Sequence, residues 1–576
     1  MYAAAMILMW GAAAAAGPVS DSKPSGREYL DRGLVAVQLA PDKVYLSWRR
    51  LASDADETGF FVYRRMGGAP PRRLNKEPIR RTTDYLDTLA AETKGTVYFV
   101  RAAVGGSEGP PSAECAPVSF QKKPYISFAL QDSTTTFQKV GIADLDGDGR
   151  WDFVIKQPNE NIDPYELYWK PSPGTYKLEA YGHDGHFLWR YDLGWAIERG
   201  IWYSPYVVYD LDGDGRAEVA VKTGEGDPRD ADGRVQKGPE YLTVLDGRTG
   251  KPVARVDWPS RADFPSYNYA SRNQLGVAYL DGKTPALLVQ RGTYNYMVLV
   301  AYQYRQGQLR ELWRWDNRTL PKTFWGQGAH WMHAADVDGD GREEVVLGSA
   351  VIDDNGKALW STGLGHPDHC YVGDIDPLHP GLEIYFGIET RQPKRNGMCL
   401  VEAATGRILW GHEGPTRHVH SRGMCADIDP NHPGSECYSA DTDAKKQFAW
   451  ARLRSAQGKV ISEENLGGFG ALCAYWDADP QRELILSNRI QDYRGKTHGK
   501  IEGQVVAVAD ILGDWREEII TTVPGGLRIY LSTIPAADRR TCLMQDPIYR
   551  ADVIHAAMGY YQVPMTSYDL ASRKPR

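Results

Sequence analysis

Residues 144–152 read DLDGDGRWD, residues 210–218 read DLDGDGRAE, and residues 336–344 read DVDGDGREE. In each copy acidic side chains stand at positions 1, 3, 5 and 9, with glycine at positions 4 and 6. A hard divalent cation takes about six to eight oxygen ligands at about 2.3–2.6 Å, and alternate carboxylates on a tight loop supply them. Glycine at position 6 permits the sharp bend. Carboxylates this close repel one another unless a cation lies between them. The expected ligands are Asp144, Asp146, Asp148 and Asp152; Asp210, Asp212, Asp214 and Glu218; and Asp336, Asp338, Asp340 and Glu344. Ca2+ is the expected ion, bracing strand ends rather than doing chemistry. A turn that merely favours Asp and Gly explains one such loop. It does not explain three.

The phrase persists in worn form as YLDGKTPAL at 279–287, DIDPLHPGLE at 374–383, DIDPNHPGSE at 427–436, WDADPQRE at 476–483 and DILGDWREE at 510–518. Apolar residues precede each loop, and a β-rich run such as EVAVK, EVVLG or EIYFG follows most of them. Strand, acidic loop, strand is the local reading. A second phrase recurs downstream, in HDGHFLW (183–189), DGRTGKPV (246–253), DDNGKALW (353–360) and EAATGRILW (402–410). A glycine turn between apolar runs signals a hairpin. One unit therefore holds about four strands, too few to bury both faces alone, and repetition around an axis solves that problem. The expected fold is all-β: an eight-bladed β-propeller over residues 125–576. A solenoid is the alternative, but uneven spacing favours blades joined by loops of varying length.

Ahead of the repeats, residues 27–120 carry VYLSWRRL, GFFVYRR and TVYFVRAAV, short aromatic-rich strands that suggest a small β-sandwich. Trp48 in an early strand and Tyr98 in a late one resemble a fibronectin type III module. The opening MYAAAMILMWGAAAAAGPVSDS resembles a secretory signal over residues 1–20, although no Lys or Arg precedes its apolar run. A secreted or periplasmic location is expected. No later stretch is apolar and long enough to span a membrane.

The chain has 576 residues, 24% of them charged, and a net charge of -7, which argues against a nucleic-acid partner held through phosphates. Seven cysteines show no C-x-x-C spacing, so a thiolate zinc site is not expected. Cys425 and Cys437 flank one loop and read as buried small hydrophobes able to face each other across a hairpin.

Polar residues gather just before three loops: GQGAHWMH before Asp336, LGHPDHCY before Asp374 and HVHSRGMC before Asp427. In a propeller these strand starts face the central channel, so His330, His366, Asp368, His418, His420 and Arg422 would converge from neighbouring blades. Glu389 joins them after the return strand. Such a group suits a second metal or an acidic ligand.

REYLDRGLVAV, YDLDGDGRAEVAVKT, GPEYLTVLDGRTG, STGLGH, GDWREE and the closing LRIYLST…DPIYR…GYYQVPMTSY resemble the rhamnogalacturonan lyases of polysaccharide lyase family 11. The resemblance runs over nearly the whole chain after the leader. It implies a calcium-rich propeller behind a small β domain, acting as a monomer that cleaves the rhamnose–galacturonate backbone of rhamnogalacturonan I, an acidic plant cell-wall polysaccharide, by β-elimination. By matching phrase it places an axial metal on His330, His366, Asp368 and Glu389, the catalytic arginine on Arg422 and a sugar-contacting tyrosine on Tyr560. Asn159, Asn161 and Glu179 are implied substrate contacts, with His418 and His420 beside them. The family's N-G-T-K run is replaced here by THGKIEGQVVAV, where Lys500 is the nearest lysine. The base is therefore sought among Lys500, His498 and His418. A glucuronate-containing backbone is the sister specificity. A calcium-braced binding propeller is the rival of another class, and it has no need of His, Arg and Tyr grouped on an axis.

Overall fold

The computed structural model describes residues 28–88, 95–121, 123–420, 423–467 and 472–571. The leader expected over residues 1–20 and the catalytic arginine expected at Arg422 lie outside them. Among the described residues the fold is all-β, with strands gathered into ten four-stranded sheets. Two of these, formed within residues 35–119, enclose a core of Val44, Leu46, Trp48, Phe60, Val62, Tyr98 and Val100.

The other eight sheets follow one another along the chain. Their first strands are Lys139–Ala143, Tyr206–Tyr209, Asn273–Ala278, Gly328–Ala335, Pro367–Gly373, Gly423–Ala426, Leu472–Ala474 and Gln504–Ala509. In each sheet the acidic phrase or its worn copy joins the first strand to the second. Seven sheets take all four strands from consecutive sequence. The eighth is completed by Ile126–Ala129, which pairs antiparallel with Gly526–Tyr530 and so ties the start of the repeats to their end. First strands of sheets one to six pack in succession, and that of the eighth touches that of the first.

Burial explains the strand sequences. Second strands such as Ala286–Arg291 and Glu383–Ile388 are buried throughout and read as nearly unbroken apolar runs, since neighbouring sheets cover both faces. Outermost strands such as Pro252–Asp257 alternate, with one side in solvent. The second recurring phrase proves to be a staple. Trp189, Trp313, Trp360 and Trp410 each donate an indole N–H to a turn carbonyl of the next sheet, at Gly247, Asp354, Ala403 and Ala456, over 2.7–2.9 Å. A glycine beneath each ring keeps the approach open: a Cβ on Gly406 (φ 70°) would lie 2.5 Å from the Trp360 ring.

A nine-residue helix, Pro547–His555, packs against the first strands of sheets one to four. Asp546 caps it through the Tyr549 amide. Asp552 accepts from the Met565 amide and lies 2.7 Å from His333 Nδ1, which holds the segment that carries Tyr560. The N-terminal sheets dock on the eighth sheet through Arg49 to the Ile511 carbonyl, Asp514 N–H to Ser47 and Arg516 to Tyr45. Glu28 meets Arg550 of the helix in a bidentate pair. No helix among the described residues is long and apolar enough to cross a membrane. Register pairs Cys425 with Cys437, their sulfurs 4.0 Å apart and not bonded.

Candidate functional site

The acidic loops share one geometry. The first Asp of each full copy accepts backbone N–H groups from both glycines: Asp144 from Gly147 and Gly149, Asp210 from Gly213 and Gly215, Asp336 from Gly339 and Gly341. The last carboxylate reaches back to the amide after the first Asp, as Asp152 to Leu145, Glu218 to Leu211 and Glu344 to Val337. Asp144, Asp146 and Asp152 offer oxygens within 4.8 Å of one another, as do Asp210, Asp212 and Glu218, and Asp336, Asp338 and Glu344. The fifth-position Asp of each copy lies outside these groups of three. Asp148 and Asp214 turn to Arg150 and Arg216, and Asp340 accepts the Arg342 amide. Burial, opposed in part by backbone N–H groups and aided by neighbouring carboxylates, pushes Asp152 up to about 7 and Glu218 and Glu344 up to about 8.

A cleft of about 1000 Å³ opens beside the starts of the first strands. At its floor stand His330, Asp368 and Glu389; with His366, which does not itself line the cleft, these residues of the fourth and fifth sheets place one ligand atom each within 4.8 Å of the others. His330 Nε2 lies 3.8 Å from Asp368, His366 Nε2 3.2 Å from Glu389, and His418 Nε2 2.8 Å from the other Glu389 oxygen. The His366 Nδ1 contacts the Gly328 carbonyl, which orients the ring. Burial, with the neighbouring His366 charge, holds His330 well below the usual imidazole range, so it is neutral. For His366 burial acts downward, but the contact with Glu389 outweighs it and raises the ring. The same contacts, with His366 and His418, overcome burial to hold Glu389 low and ionised.

Tyr560 sits against this floor, its ring 4.9 Å from His330 and 5.2 Å from Trp202. His420 lines the cleft and stacks on His418 at 4.9 Å. Asn159 and Asn161 line it too; Asn159 donates to Gln504, and Asn161 accepts the Ile201 amide. Glu179 does not line the cleft. It is fully buried in the first sheet, where Arg190, Gln157 and Tyr181 take up its oxygens. Lys500 is also elsewhere, exposed on the outermost strand of the seventh sheet. His498 joins Asp477, Glu483 and Asp492 in a separate group on that sheet.

Several cleft residues carried no motif. Arg272 grips Asp163 through two hydrogen bonds of 2.7 and 3.0 Å and lies over the Trp202 and Tyr294 rings. Tyr294 packs on both His330 and His366. Lys139, the first residue of its strand, lines the cleft, and burial pushes its ammonium down to about 7. A lysine opening an apolar strand (KVGIA) is the one signal that could have found it.

Among known proteins, the rhamnogalacturonan lyase family 11 C-terminal domain matches residues 131–574. The β-sheet domain of rhamnogalacturonan I lyases matches residues 25–118. Rhamnogalacturonan endolyase YesW of Bacillus subtilis (strain 168) is 38% identical, over 94% of this chain and 91% of that protein. Rhamnogalacturonan exolyase YesX of the same organism is 34% identical, over 96% and 97%. The crystal structure of YesW superposes with a TM-score of 0.86 at 36% identity, over 96% of this chain and 99% of the other. The Bacillus licheniformis rhamnogalacturonan lyase gives 0.85 at 34% identity, over 96% and 99%. With the two profiles spanning most of its length and relatives this similar end to end, the chain belongs to rhamnogalacturonan lyase family 11 and is a polysaccharide lyase.

Proposed function

We propose that this enzyme is secreted and cleaves the rhamnose–galacturonate backbone of rhamnogalacturonan I by β-elimination, in a calcium-dependent way and as a monomer. Its eight successive sheets are read as the blades of an eight-bladed β-propeller over residues 125–576, behind a fibronectin-III-like sandwich over residues 27–120. Successive packing of the first strands and the closing strand Ile126–Ala129 support that reading. The names of the Bacillus relatives support the substrate.

One observation carries the mechanism: two imidazoles and two carboxylates meet in one group, and three of them, His330, Asp368 and Glu389, line a cleft that Tyr560 and Arg272 also line. The set fits a divalent cation, because the four ligand atoms lie within 4.8 Å of one another and the buried Nε2 of His366, which faces Glu389, makes no hydrogen bond among the described residues. Asp368 and Glu389 supply the oxygens that calcium favours. Held there by His330, His366, Asp368 and Glu389, calcium would supply positive charge against the uronate carboxylate. Arg272, always cationic, adds to that charge from the cleft wall, and Trp202 and Tyr294 hold it in place. Lys139 lines the cleft with an ammonium near 7, which suits a general base close to neutral pH. It takes the C5 proton; the C5–H electron pair forms the C4–C5 double bond, and the C4–O bond breaks. Tyr560 hydrogen-bonds the departing oxygen and gives it the phenolic proton as it leaves, which solvent then restores.

The test is ultraviolet absorbance of the unsaturated uronate product. Absorbance rising on rhamnogalacturonan, and lost on chelation, supports the lyase. Binding without turnover would replace it with a calcium-braced binding propeller. A backbone with glucuronate in place of galacturonate belongs in the same assay, because Lys500 stands outside the cleft.

A further inference from the structure

The segment Asp163–Lys170, reading DPYELYWK, leaves the first sheet and forms one wall of the cleft. It is tied down at several points. Asp163 accepts the Tyr165 amide and grips Arg272, while the Tyr168 and Trp169 amides both donate to the Tyr165 carbonyl. Glu166 pairs with Arg234, whose guanidinium lies 4.1 Å from the Trp169 ring centroid. Trp169 itself donates to the Tyr267 hydroxyl.

A segment held this firmly nevertheless presents apolar surface to water. Tyr165 is 45% exposed and Tyr168 57%, and their rings lie 5.9 Å apart on the cleft side. Exposed aromatic surface lining a cleft marks a binding site. Rings that are already ordered lose little entropy on contact. The anchor also places the wall relative to the cation end, because Arg272 spans from Asp163 at the root of the segment to Trp202, which stacks 4.5 Å from His330.

We propose that Tyr165 and Tyr168 form a subsite for a neutral 6-deoxyhexose, the rhamnose unit next to the uronate held over the His330–Glu389 cluster. The inference rests on the lyase reading. A backbone that alternates an acidic sugar with a neutral one needs a charged station and an apolar one side by side in the same cleft. The methyl group and axial C–H bonds of a deoxyhexose match an aromatic face and have no use for further cations. Leu167, between the two tyrosines and 71% exposed, does not line the cleft and serves as the control.

The experiment measures KM and kcat on rhamnogalacturonan for Tyr165→Ala, Tyr168→Ala, the two Phe variants and Leu167→Ala, with direct binding measured calorimetrically on the same polysaccharide. Each Ala variant is expected to raise KM about three- to tenfold, the measure of one aromatic contact, with kcat unchanged. The Phe variants keep the ring and stay near wild type, as does Leu167→Ala. Ala variants with wild-type KM and affinity would overturn the subsite, as would Phe variants as impaired as Ala ones. If the wild type binds without cleaving, the lyase reading fails, and the same variants still decide the wall by calorimetry. A wild type that neither cleaves nor binds the polysaccharide overturns both.

Discussion

At the scale of single residues, charge placement separates roles that a list of polar side chains leaves equal. Glu389 bridges His366 and His418 and stays ionised against its burial. Replacing it with Gln preserves shape and removes charge, so kcat should fall by about tenfold to a hundredfold with an unaltered circular dichroism spectrum. Near-wild-type turnover would take Glu389 out of the mechanism. Lys139 makes a prediction in pH. A base must be unprotonated, so the wild-type rate should climb as pH rises through about 7. Lys139→Met should be slow throughout and lack that limb. A variant that kept both rate and limb would send the search for the proton acceptor to His420. The resemblance pointed to Lys500 because it is the lysine nearest the altered phrase in sequence. Its strand is the outermost of its sheet, and Lys500 does not line the cleft, although it pairs with Arg489 next to Asn488, which does.

At the scale of elements, the acidic loops join first and second strands while concentrating negative charge. Without a cation, burial and mutual repulsion leave Asp152 at about 7 and Glu218 and Glu344 at about 8. The unfolded chain has them at about 4. The folded metal-free protein therefore binds more protons than the unfolded one. Its stability is full below about pH 4 and is lost as pH rises through about 7 to 8. Chelated protein should melt at a lower temperature at pH 8 than at pH 5, and added calcium should remove that difference. A melting temperature indifferent to both pH and calcium would show that these loops stand without metal. The recurring Trp and Gly positions were legible as hairpins from sequence, yet their use as staples was not. The indole's acceptor belongs to the next repeat, tens of residues away.

For the whole molecule, one short strand ties the first sheet's end of the chain to the eighth sheet. Ile126–Ala129 pairs with the outer strand of the eighth sheet, and Phe128 is buried against Phe153 of the first. A chain beginning at residue 131 exposes an unpaired edge and loses that contact, worth about 1.5–3 kcal/mol for the Phe alone. It should unfold at lower temperature and self-associate. A chain beginning at residue 121 loses the N-terminal sheets but keeps the strand, and should be the better behaved of the two by light scattering and calorimetry. Equal behaviour would deny the strand its closing role. The helix Pro547–His555 works at the same scale: buried among the first strands of four sheets, it brings Tyr560 from the end of the chain to His330 near its middle.

What the sequence by itself determined was the repeat, eight loop-joined strand pairs with their acidic loops; the set of His330, His366, Asp368 and Glu389, whose ligand atoms the structure brings together, was implied by the family resemblance. Turn chemistry, strand alternation and carboxylate spacing are settled within a few residues, so they can be read locally. Only the tertiary structure decided that Glu179 is consumed by Arg190, Gln157 and Tyr181, that Lys139 rather than Lys500 reaches the cleft, and that Arg272 and Tyr165 stand on its wall. Sharing a cavity and losing a solvation shell are properties of packed sheets, set by contacts that cross strands and sheets, from a few positions apart at Glu179 to more than a hundred between Asp163 and Arg272.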